Sequence, residues 1–126
     1  MFARWVLVGS VLVFGFIGVT FSVAPAKMAS FVDVSLGSAT ADGDVRAVYG
    51  GVALGLACFV GAALRRRDWT EPALWVVALT LACMALTRFV SWAVAGPPAA
   101  LGYALHAAEF SGALAALVAL RAYGRS

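Results

Sequence analysis

The chain reads as an all-α integral membrane protein, a four-helix bundle with both termini in the cytoplasm and a longer outer-face loop between helices one and two. Three observations predict it. Hydrophobic residues make up 63% of the 126 and charged residues only 12%, against about 25% charged in an average soluble domain. The mean hydropathy is +0.96. Four apolar runs each reach the roughly 20 residues that a membrane-spanning helix needs. Transmembrane strands would alternate in polarity over about 10 residues, and these runs do not. A chain of this length fits one domain, residues 1–126.

The first run, Trp5–Ala24, follows the basic Arg4. It resembles a signal peptide, but it exceeds the usual apolar core of about 7–15 residues, and Pro25 interrupts the small-residue motif. An uncleaved span is expected. The connection after it, residues 25–44, is too long for a turn. Phe31, Val32, Val34 and Leu36 alternate with Ser30, Asp33, Ser35 and Gly37, which suggests a short structured segment lying over the bundle mouth. The second run, Val45–Leu64, follows Asp42 and Asp44, and either carboxylate can cap a helix there. The third run, Ala73–Ala95, has Glu71 and Pro72 at its start, where a missing N–H is harmless. Gly96-Pro97-Pro98 then forces a stop, so the fourth run, Ala99–Leu120, must lie antiparallel beside the third.

The charge of +3 acts on topology and does not suggest a nucleic-acid partner. Arg4, Arg65, Arg66, Arg67, Arg121 and Arg125 mark one side, Lys27, Asp33, Asp42 and Asp44 the other. The positive-inside rule places the arginines in the cytoplasm. Cys58 and Cys83 lie mid-span and read as small packing residues. Small residues recur at four-residue spacing, as in Gly51 and Gly55, Ala57 and Gly61, and Ala108, Gly112 and Ala116. Such stripes let helices approach closely in lipid. They serve either the bundle's own packing or a homodimer through the fourth helix.

Two charges stand inside the spans, Arg88 in the third and Glu109 in the fourth. A charge near the bilayer centre costs about 2.5–3.5 kcal/mol on insertion scales, so such residues usually face the interior and pair. At 1.5 Å per residue, Arg88, His106 and Glu109 fall roughly 10–15 Å below the outer helix ends, with Arg46 above them. Tyr103, His106 and Glu109 share a face of the fourth helix; Arg88 and Trp92 share one of the third; Arg46 and Tyr49 share one of the second. The candidate ligand-binding set is therefore Arg46, Tyr49, Arg88, Trp92, Tyr103, His106 and Glu109. Guanidinium groups suit a carboxylate or phosphate, and aromatic rings suit an apolar body. The inferred ligand is an amphiphile, a lipid or a quinone-like molecule. Each member also has a structural role open to it: a register-fixing ion pair for Arg88 and Glu109, interface anchoring for Arg46, an aromatic belt for the rings. A single histidine without a cysteine or carboxylate cluster points to no metal, and no cofactor is expected.

The run Asp44-Val45-Arg46-Ala47-Val48-Tyr49-Gly50-Gly51 resembles the R-x-x-Y-G-G start of the second helix in domain-of-unknown-function family 4345. Thr87-Arg88-Phe89 and Ala108-Glu109-Phe110 resemble later parts of the same pattern. The resemblance covers nearly the whole chain and implies a small bacterial four-helix membrane protein, distantly similar to DoxX-like proteins; the expected location is the bacterial cytoplasmic (inner) membrane. It supplies no catalytic assignment. It singles out Arg46, Tyr49, Gly50, Gly51, Arg88 and Glu109; His106 has no counterpart in it. Membrane lipids are the expected partners. The function expected is binding or accessory, with a structural subunit, a proton-coupled transporter and a lipid-modifying enzyme as alternatives.

Overall fold

The computed structural model describes residues 1–124; the expectation for Arg125 lies outside the described residues. Four helices are long and apolar enough to cross a membrane, and no strand occurs among the described residues. The first span is α1 (Phe2–Val23). A short helix, α2 (Pro25–Ser30), follows it. The second span runs continuously over Ala39–Ala63, as α3 (Ala39–Val45), one π-helical turn (Arg46–Gly51) and α4 (Val52–Ala63). A single 3-10 turn (Arg67–Trp69) leads into the third span, α5 (Thr70–Ala95), and α6 (Ala100–Tyr123) is the fourth.

Two sequence expectations need correction at the first connection. Neither Asp42 nor Asp44 caps the second span. Its cap is Ser38, in extended backbone, whose hydroxyl oxygen accepts from the Ala41 N–H at 3.1 Å. A hydroxyl at that position reaches an orphan amide directly, so the helix starts six residues before Val45. The ordered segment of the connection is α2, upstream of the alternating stretch. Phe31, Val32 and Val34 remain exposed, and only Leu36 of the four apolar residues is half-buried. Asp33 takes the left-handed conformation (φ 59°), which short polar side chains tolerate, and the N–H groups of Val32 and Val34 both return to the Ala29 carbonyl.

Packing is uneven along the bundle axis. The contiguous core contains Leu7 and Phe14 of α1, Ala57, Val60 and Ala63 of α4, Ala73, Leu74, Val77 and Ala78 of α5, and Ala116 and Ala119 of α6. These residues occupy the half nearest residues 65–67, apart from Phe14, which sits near mid-span. That end is also tied by the Tyr123 hydroxyl, which donates to the Arg67 carbonyl at 3.1 Å, and by Arg66 over the Trp69 ring. In the other half only a few positions continue the buried stripes, Ala85 on α5 and Glu109 on α6 among them. The helices associate chiefly as two pairs, α1 with the second span and α5 with α6, and α1 bridges them. Gly96, at φ 94°, ends α5 in a conformation that side chains disfavour and turns the chain into Pro97-Pro98.

The small residues divide by position. Ala57 and Ala116 are core, and Gly112 lies against the Leu81 side chain. Gly51 and Gly55 face outward with nothing near them, contrary to a role in internal packing. Cys58 and Cys83 are likewise on the outer surface and not packing residues of the core. An apolar thiol can face lipid at little cost, so the surroundings do not force it inward.

Candidate intramembrane polar site

Buried positions on α6 fall at Glu109, Ala113, Ala116 and Ala119, so the glutamate continues the core stripe of its helix. On α5, Arg88 follows buried Ala85 by one turn. The two charges therefore meet along the α5–α6 seam, where core packing gives out. The Arg88 Nε–H donates to both Glu109 carboxylate oxygens at 2.8 Å. Glu109 is buried, while the Arg88 side chain keeps 34% of its surface. The remaining guanidinium nitrogens donate to no described residue. The pair is thus closed on the acid side and open on the cation side.

Aromatic rings cluster along the same seam. His106 lies 4.5 Å from the Trp92 ring and 6.4 Å from the Phe110 ring, and Tyr103 lies 5.0 Å from Trp92. His106 Nδ1 is buried without a hydrogen-bond partner. His106 makes no bond to Glu109, although one turn separates them. The two residues instead line different grooves. His106 contributes to a groove of about 540 Å³ between α5 and α6, with Ala82, Ala85, Leu86, Phe89, Phe110 and Ala113 among its walls. Glu109 lines a second groove of about 310 Å³, where α1 contributes Gly9 and Ser10 and α6 contributes Ala108 and Gly112.

Arg46 and Tyr49 belong to a separate place. The π-helical turn seats them on the end of α1. The Arg46 guanidinium donates to the Ser22 carbonyl and, at 3.0 Å, to the Asp42 carboxylate. Tyr49 stacks on Phe21 with ring centroids 5.2 Å apart. A Cβ on Gly50 would sit 2.5 Å from the Ser22 Oγ and 3.0 Å from its backbone nitrogen. The R-x-x-Y-G segment therefore acts as a clasp: an arginine satisfies a last-turn carbonyl, a ring covers the neighbouring ring, and a glycine lets the backbones touch. In the extra residue of the π turn, the Val52 N–H returns to the Ala47 carbonyl. Such turns are frequent at functional sites.

The candidate residues thus form two groups. Arg88, Trp92, Tyr103, His106 and Glu109 share the α5–α6 seam, and Arg46 and Tyr49 stand apart on α1. Sequence reasoning missed the groove walls, Phe89 and Phe110 with Ala82, Ala85 and Ala113. A phenylalanine near alanines on each of two neighbouring helices was the signal, but which way those side chains face depends on helix rotation. Among the described residues, no three of His, Cys, Asp and Glu come together as a metal-ligand set.

Four membrane-length apolar helices around a buried carboxylate paired with arginine define a small multi-pass membrane protein. The sequence profile of one family, described as domain of unknown function (DUF4345), matches residues 2–120. The chain belongs to that family. No curated protein and no solved structure matches it.

Proposed function

We propose that the protein is an accessory or binding protein of the bacterial inner membrane that holds an amphiphile taken laterally from the bilayer. The observation that carries this reading is the groove of about 540 Å³ between α5 and α6. It falls in the range of about 300–1,000 Å³ usual for small-molecule sites, and such sites are apolar with few polar groups. Its walls are alanine, leucine and phenylalanine, and His106 is the polar side chain among them. The Arg88–Glu109 pair fixes the register of α5 against α6 and so holds the groove's shape. The basic end with Arg65, Arg66, Arg67 and Arg121 faces the cytoplasm, which puts the seam in the outer half of the membrane.

Native mass spectrometry of protein released from its own membranes tests the reading. A bound amphiphile is expected at one per chain, surviving activation that strips annular lipid. A chain that emerges bare under the same activation contradicts it.

A specific observation favours a second reading, a subunit of a larger membrane assembly. The second groove combines Gly9 with Ala108, Gly112 and Ala115, and small residues of this kind admit a partner helix closely. A homodimer through α6 is the simplest form of it. Cross-linking that joins two copies through Ala108→Cys in the membrane supports this assembly; a purely monomeric product contradicts it.

A further inference from the structure

The inference rests on the binding reading above and concerns what the α5–α6 groove holds. His106 Nδ1 is covered by protein and finds no partner. His106 is only half-buried, and Nε2 is not among the buried unpartnered atoms, so Nε2 is the ring nitrogen that keeps accessible surface. It too bonds to no described residue. A neutral imidazole carries one N–H donor and one acceptor nitrogen. A buried N–H without an acceptor is costly, and a proton on Nε2 leaves the covered Nδ1 bare and turns the donor to the accessible edge. The groove then offers one outward N–H donor in a wall that is otherwise hydrocarbon.

Its remaining chemistry narrows the occupant. No lysine or arginine lines the groove. Arg88 is turned to Glu109 through Nε and is not among the lining residues. A phosphate or carboxylate head would enter without a counter-charge, which is unfavourable in an apolar site. A bare acyl tail would leave the imidazole N–H unpaired. Phe89 of α5 and Phe110 of α6 line the groove together with His106, and aromatic side chains favour a flat apolar body. We infer that the groove takes an uncharged, planar, carbonyl-bearing lipid of the quinone class, its carbonyl oxygen accepting from His106 Nε2–H and its ring lying against Phe89 and Phe110.

His106 is the single histidine of the chain, so ¹⁵N-histidine labelling reports on this site alone. The experiment is solid-state NMR of the labelled full chain in phosphatidylcholine liposomes, titrated with decylubiquinone and, separately, with decanoic acid. The expected result is a saturable Nε2 shift with decylubiquinone at one equivalent per chain, and none with decanoic acid. Phe110→Leu should raise the half-saturating concentration about 2- to 12-fold. Ala82→Trp, which fills the groove, should abolish the shift. A saturable shift with decanoic acid and none with the quinone overturns the quinone assignment and leaves the binding reading standing. No saturable shift with either probe, or a quinone shift that survives Ala82→Trp, overturns both.

Discussion

Glu109 is the residue on which most else depends. A carboxylate buried at this depth is tolerable only while Arg88 holds it, because a buried charge left alone bears its full desolvation penalty. Arg88→Ala should therefore lower stability by about 3 kcal/mol, the low end for a broken buried pair, since the Arg88 side chain keeps 34% of its surface. The double variant Arg88→Met with Glu109→Leu should recover most of that loss, because well-packed apolar replacements of a buried pair are often neutral or better. Unfolding in mixed micelles measures both, and a double variant as unstable as the single one counts against a register role. At Gly50 a Cβ meets Ser22 at 2.5 Å, whereas at Gly51 it meets nothing. Gly50→Ala should cost about 1–3 kcal/mol by overpacking, and Gly51→Ala should be close to neutral in the same assay. The Arg88–Glu109 pair was legible because charge in an apolar run is conspicuous. The partner of Arg46 was not, because a main-chain carbonyl such as that of Ser22 leaves no mark in sequence.

At the scale of elements, the four spans could be read from hydropathy alone, since twenty apolar residues admit few other structures. Their ends could not. Asp42 and Asp44 looked like caps by residue type, yet Ser38 makes the cap and Asp42 turns to Arg46. Ser38→Ala should cost about 1 kcal/mol and fray the second span back toward Val45, visible as faster amide exchange over residues 39–45. The π-helical turn was also invisible, because nothing in the R-x-x-Y-G-G pattern encodes a five-residue hydrogen bond. Its consequence is local: it seats Tyr49 on Phe21. Tyr49→Ala should release the last turn of α1 and raise exchange at residues 20–24 while α5 and α6 stay protected. Equal protection in variant and wild type would show that the clasp holds nothing.

Across the whole molecule, packing density and chemistry divide along the axis. One half holds the core of Leu7, Val60, Leu74 and Val77, the other carries the ion pair and the aromatic seam, and the grooves run from one half into the other, the second reaching Trp5 and Val6. Hydropathy reports that a helix spans and says little about how it is rotated. The sharing of Arg88, Trp92, Tyr103, His106 and Glu109 by one seam followed from depth and spacing, but the division of His106 and Glu109 between two grooves required the helix rotations themselves. Rotation also explains why Cys58 and Cys83 point outward. Whether the groove on α5 and α6 holds an amphiphile is read out by photo-crosslinking. A diazirine-bearing isoprenoid probe in liposomes, mapped by peptide mass spectrometry, should label residues 82–89 and 106–117 saturably, with competition by unlabelled probe and loss in Ala82→Trp. Labelling spread evenly over all four spans, indifferent to competitor and to Ala82→Trp, would show that the groove holds no amphiphile.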